Sequence, residues 1–143
     1  MAGSAFPGGF PGDPHNAFTA AGRTPAQNEI FRWTSGWLAF RAAHAELHTG
    51  IEQNLYSDRD AFAFVRAMDT AGCSADRQTE RLLIVVNKAS QSKSLELPLE
   101  GTALAGCAQF KPASLAPGQK PQRNSGKLRI EEPAQSITIF SVK

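Results

Sequence analysis

The sequence lacks several things that would have named a function class at once. It has no apolar run near the ~20 residues that a bilayer-spanning helix needs, and no positively charged leader followed by an apolar core at residues 1–12, so neither a membrane span nor a signal peptide is expected here. It has no excess charge of one sign: 15 basic against 13 acidic residues leave a formal net charge of +2, with Lys and Arg scattered. The basic stripe of a nucleic-acid binder is therefore absent. Cysteine is scarce. Cys73 and Cys107 have no Cys or His neighbour at metal-ligand spacing, which argues against zinc. Two unpaired thiols are expected, with a disulfide as the alternative if the protein is exported. No G-x-S-x-G elbow and no phosphate-cradling glycine motif occurs, and no internal repeat is visible.

What is present falls into two styles of chain. The run FPGGFPGDP at residues 6–14 holds three prolines and three glycines, so residues 1–23 read as irregular chain that no helix or central strand can cross. A helix over 24–50 follows. Thr24 is its N-cap candidate, Pro25 suits the first helical position, and Gln27 completes a capping-box pattern. Gly50 is the expected stop. Ile30, Trp33, Trp37, Phe40 and Leu47 recur at helical steps, while Phe31 and Leu38 add a second apolar side. That is more apolar surface than a helix packed on one small domain would need. Gly36 admits a bend or a close contact.

After Gly50 the period shortens. Leu55 and Tyr56, then Phe62, Phe64 and Val65, read as strands about a turn at residues 57–60. Phe62 and Phe64 share one face, with Ala61, Ala63 and Val65 on the other. Most aromatics outside the helix and loop (Tyr56, Phe62, Phe64, Phe110, Phe140) are expected in the core. RLLIVVN at 81–87 reads as a strand in the centre of a sheet. Leu95, Leu97 and Leu99 alternate in another, residues 70–79 and 111–126 read as exposed connections, and residues 128–130 and 137–142 close the domain. The fold class expected is an α+β fragment: one long helix followed by a mainly antiparallel β-sandwich.

Chemistry is harder to find. A glycoside hydrolase needs two carboxylates about 5–9 Å apart across a sugar bond. Asp58 and Asp60 flank a turn, Glu131 and Glu132 precede a proline, and Glu96 and Glu100 belong to a strand and its end. All read as solvated surface charges. His15 lies in the loop. His44 and His48 are four apart on the expected helix, but in HAELH the Glu46 is one residue out of place for a metalloprotease pair, and a surface or interface pair is expected. No catalytic residue, metal ligand or cofactor site is assigned.

The residues FPGGFPGD (6–13), NAFT (16–19), GRT (22–24) and QNEIF (27–31) resemble a stretch of the alpha-amylase family of glycoside hydrolases, closest to its cyclomaltodextrinase and neopullulanase branch. FRAAHAELHTG (40–50), AFAFVRAMD (61–69) and RLLIVVN extend the likeness over essentially the whole chain, more weakly at 103–126. The resemblance implies that residues 1–50 are the remnant of a catalytic (β/α)8 barrel, its last loop (1–23) and last helix (24–50), and that 51–143 are the C-terminal β-sandwich. It implies that the family's catalytic carboxylates have no counterpart in this sequence, and that the chain closes and stabilises the barrel of an alpha-glucan-acting parent. Phe10 and Asp13 become candidate substrate contacts at the cleft rim, by ring stacking and by hydrogen bonding. The expected partner is the missing barrel, and a homodimer through the helix is a further expectation. The alternative function is an accessory module that binds alpha-glucan through exposed aromatics.

Overall fold

The computed structural model describes residues 14–74, 76, 79–113 and 120–143. Phe10 and Asp13 lie outside the described residues. The chain divides into two compact units, residues 1–41 and 42–143, each taken by itself below.

In the first unit the helix begins as its sequence dictates. The Thr24 amide donates to Gln27 Oε1 (2.8 Å) and the Gln27 amide to Thr24 Oγ1 (3.3 Å), a reciprocal capping box that satisfies two otherwise orphaned donors. Helix α1 (Pro25–Ala43) follows. The preceding turn is built on Asn16, whose Oδ1 accepts from the Phe18 amide (2.9 Å) and whose carbonyl accepts from the Thr19 amide (3.1 Å). Gly22 passes so close to the Asn16 backbone that a Cβ there would collide with it. Arg23 fastens turn to helix: Nε donates to the Ala17 carbonyl (2.7 Å), and the guanidinium lies 3.5 Å from the Phe31 ring centroid, a cation–π stack.

The expected helix end is corrected. Helix α1 stops at Ala43; His44 is extended (φ −119°, ψ 102°), and a 3-10 turn occupies Ala45–Leu47. Gly50 is no helix cap. A Cβ at Gly50 would sit 2.8 Å from the Ala67 carbonyl and closer still to that of Glu46, so glycine is needed because two backbones approach there.

The second unit is antiparallel throughout. Strands β1 (Ile51–Ser57), β2 (Ala61–Ala67), β3 (Arg81–Asn87), β8 (Ser136–Val142) and β5 (Phe110–Pro112) form one sheet in that order. A second sheet runs β4 (Lys93–Pro98), β7 (Lys127–Glu132), β6 (Gln122–Asn124). The α+β reading with a β-sandwich holds, and β3 is central, flanked by β2 and β8, as its unbroken aliphatic run requires.

Between the sheets lie Ala61, Ala63, Val65, Leu83, Val85 and Phe140 from one side and Leu95, Leu97, Leu128 and Ile130 from the other. The alternation on β2 falls as expected, but the core takes the alanine side. Phe62 and Phe64 are half-buried on the opposite face, their ring centroids 5.0 Å apart, so of the aromatics expected inside only Phe140 is fully buried. The small β2 residues leave room for the leucines opposite, which is how facing layers interdigitate. Residues 111–126 are not wholly a loop either, since they carry two short strands. Pro112 is tolerated because β5 is an edge strand with an unpaired side. All three residues of β6 are exposed and leave no periodic signal.

Cys73 and Cys107 are joined in a disulfide, which corrects the expectation of two thiols. Arg81 brings them together. Fully buried, it donates to the carbonyls of Thr79 (2.7 Å), Ala71 (2.7 Å) and Gly72 (3.2 Å), holding the chain after β2 against the start of β3. The Cys73 amide then donates to the Ala105 carbonyl (2.7 Å), beside Gly106 at φ +72°. The two Cα atoms lie 4.7 Å apart, within bridging range.

Candidate functional site

Of the carboxylates singled out in the sequence, Asp58, Glu96, Glu131 and Glu132 are committed to structural partners. Asp58 closes the β1–β2 turn: its Oδ1 accepts from the amides of Asp60 (2.8 Å) and Ala61 (2.7 Å) in an Asx turn. Its Oδ2 accepts from Tyr56 Oη (2.6 Å) and is paired with Lys93. Lys93 first, then Tyr56 and the two amides, hold the Asp58 carboxyl far below the usual range, and the same contacts raise Lys93 and Tyr56. A carboxylate fixed in this way cannot donate a proton near neutral pH.

Glu96 pairs with Lys127 (3.2 Å) and is exposed as expected, while Glu131 pairs with Arg129 (3.1 Å) and is half-buried. Ser94 and then Arg129 lower the Glu131 carboxyl. Glu132 departs from expectation: it is 1% exposed, not a solvated charge. Its Oε1 accepts from Ser136 Oγ (2.7 Å) and Thr138 Oγ1 (2.8 Å), and burial pushes its pKa up. The outward and inward neighbours in Glu131-Glu132 alternate with the strand, a difference of one position along β7. None of these groups presents a proton donor and a facing carboxylate across an open cleft.

The histidines are also rearranged. Because α1 ends at Ala43, His44 and His48 do not share a helical face. His44 Nδ1 instead lies 3.8 Å from Glu46 Oε2, and one donor atom each of His44, Glu46 and Glu80 fall within 4.8 Å of one another. Sequence reasoning missed Glu80, because nothing in a linear spacing of 34 residues after Glu46 announces that the start of β3 returns beside the 3-10 turn.

The described residues of the first unit present an apolar surface. No residue of α1 is fully buried, and Ile30, Trp33 and Leu38 are 66%, 58% and 62% exposed. Trp33, Trp37 and Phe40 run edge-to-face along one side, with centroids 6.0 and 6.1 Å apart. Glu29, Ile30, Trp33 and Thr34 border a shallow depression on the same helix. A surface of this kind binds another apolar surface far better than it binds water.

No family model matches the sequence. The fold, however, recurs in solved structures. The chain is similar to a debranching enzyme of Nostoc punctiforme, with 18% identity and a TM-score of 0.57 over 86% of this chain and 24% of that one. It is similar to AmyP in complex with maltotriose, with 15% identity and a TM-score of 0.62 over 87% of this chain and 23% of that one. It is similar also to the trehalulose synthase MutB of Pseudomonas mesoacidophila, with 21% identity and a TM-score of 0.50 over 92% of this chain and 19% of that one. The chain spans about a quarter or less of the length of the structures it matches.

Proposed function

We propose, from a chain whose fold is one found within alpha-amylase-family enzymes, that it serves as the non-catalytic C-terminal part of an alpha-glucan-acting glycoside hydrolase. Residues 1–50 complete a (β/α)8 barrel and residues 51–143 form the β-sandwich that follows it, in an enzyme of the cyclomaltodextrinase or neopullulanase type. Its work is to close and stabilise the barrel, and the catalytic carboxylates belong to the rest of the enzyme. Phe10 and Asp13 remain candidate contacts to glucan at the cleft rim.

The observation that carries this reading is the exposure of Ile30, Trp33 and Leu38 on a well-capped helix. Burying one such side chain contributes about 1.5–3 kcal/mol, so leaving three in water is a standing cost that a covering body removes. The short share of each matched structure that the chain accounts for points the same way. The disulfide favours an exported setting, since such bridges persist in oxidising compartments.

The test compares the whole chain with its Trp33→Ser/Leu38→Gln variant by light scattering and by thermal unfolding followed at the sandwich. The wild-type chain should self-associate or precipitate as concentration rises. The variant should stay monodisperse with its unfolding midpoint within about 2 °C, the change expected of surface substitutions. A wild-type chain that is monodisperse at high concentration would contradict the uncovered-helix argument, whereas a discrete dimer abolished by the variant would identify a second copy as the covering body. Tight, saturable binding of cyclodextrin would instead favour the accessory glucan-binding module.

A further inference from the structure

We propose that His44, Glu46 and Glu80 form a binding site for a zinc-type divalent transition-metal ion, clipping the 3-10 turn to the start of β3. The three residues come from three places in the second unit: the extended residue after α1, the turn Ala45–Leu47, and the residue preceding Arg81. One donor atom from each lies within 4.8 Å of the others.

Glu46 is the centre of the argument. It is 8% exposed, and its Oε2 is sealed from solvent and receives no hydrogen bond. A buried carboxylate oxygen without a partner is costly to maintain, and the usual relief is a cation or a proton. His44 Nδ1 faces that oxygen at 3.8 Å, too far for a hydrogen bond. Glu80 brings a second carboxylate to the same point, so an imidazolium on His44 would balance only one of two negative charges. A dication balances both.

The Arg66 and Arg81 guanidinium groups are already engaged, the latter with the carbonyls of Thr79, Ala71 and Gly72. Arg66 Nε donates to the Glu46 carbonyl (3.1 Å) and its Nη1 to Glu52 (3.4 Å). The first of these fixes the turn that carries Glu46. Ser141 Oγ donates to Glu80 Oε1 at 2.6 Å, the kind of outer hydrogen bond that orients a metal-bound carboxylate.

One imidazole with two carboxylates suits zinc better than calcium or magnesium, which take oxygen ligands in larger number. Tetrahedral bonds of about 2.1 Å place donor atoms about 3.4 Å apart. The His44–Glu46 pair, at 3.8 Å, is near that spacing, and the three donors, within 4.8 Å of one another, tighten around the ion on binding. Three protein ligands leave the fourth position to water.

The test is titration of the tag-free full chain with Co2+, followed by visible absorption, then displacement of Co2+ by Zn2+. One Co2+ per chain is expected, in a low coordination number that gives a strong visible band. His44→Ala, Glu46→Gln and Glu80→Gln should each weaken it at least about tenfold, with far-ultraviolet circular dichroism confirming the fold of each variant. If the Glu46 variant does not fold, the other two, at less buried positions, decide. No saturable one-to-one signal, or a signal that the folded variants leave unchanged, overturns the proposal.

Discussion

Breaking the bridge between Cys73 and Cys107 should be the most informative single perturbation of the sandwich. The bridge closes a loop with a sequence separation of 34, containing all of β3 and β4. The loop-closure expression for a cross-linked unfolded chain then gives about 3.8 kcal/mol of stabilisation at 25 °C. Residual structure in the unfolded chain lowers this, so about 2–4 kcal/mol is the working range. Against a typical total of about 5–15 kcal/mol for a domain, that is a large share. The assay is urea unfolding of the oxidised chain, of the same chain reduced, and of Cys73→Ala/Cys107→Ala. With a urea slope of about 1.5 kcal/mol/M, the midpoint should fall by about 1.3–2.7 M. Reduced wild type and the double variant should agree within about 1 kcal/mol, the variant losing only the packing of the buried Cys107 sulfur. A thiol titration of the unfolded, unreduced chain should find none. Two titratable thiols, or a midpoint shift below about 0.5 M, would refute the reasoning.

Two further substitutions probe the buried polar groups. Glu132 has its pKa raised above the ordinary 4.5 by burial, so its contribution to stability is full below about that pH and is lost as pH rises through the raised value. Glu132→Gln, whose amide oxygen still accepts from Ser136 and Thr138, should therefore gain stability over wild type at neutral pH and lose that advantage near pH 4, measured by urea midpoints across pH. A constant difference at all pH values would contradict the assignment. Arg81→Met strands three loop carbonyls that the guanidinium now satisfies and should cost about 3 kcal/mol or more. Hydrogen exchange in residues 71–73 should accelerate more than in β2.

Where one residue type spoke for one local cause, the sequence was legible. Thr24, Pro25 and Gln27 specify a helix start that needs no tertiary help, and the aliphatic run 81–87 demands cover on both faces, which only a central strand receives. The errors arose where two segments distant in sequence decide the outcome. Gly50 looks like a helix cap until the Glu46 and Ala67 carbonyls are seen to crowd it. Glu132 looks solvated like Glu131 until strand register turns it inward beside Ser136 and Thr138. The pairing of Cys73 with Cys107 depends on Arg81 gathering three carbonyls, which no spacing rule records. The facing of β2 was ambiguous for a different reason. Period-two alternation fixes which residues go together but not which set goes inside, and here the small set does.

The claim that this chain contributes structure and no catalytic group is tested most directly by assaying the purified, oxidised, full chain for release of reducing sugar from maltodextrin and cyclodextrin. The rate should be no greater than that of buffer alone, at any chain concentration that stays in solution. Turnover that rises in proportion to chain concentration, and survives further purification, would contradict it.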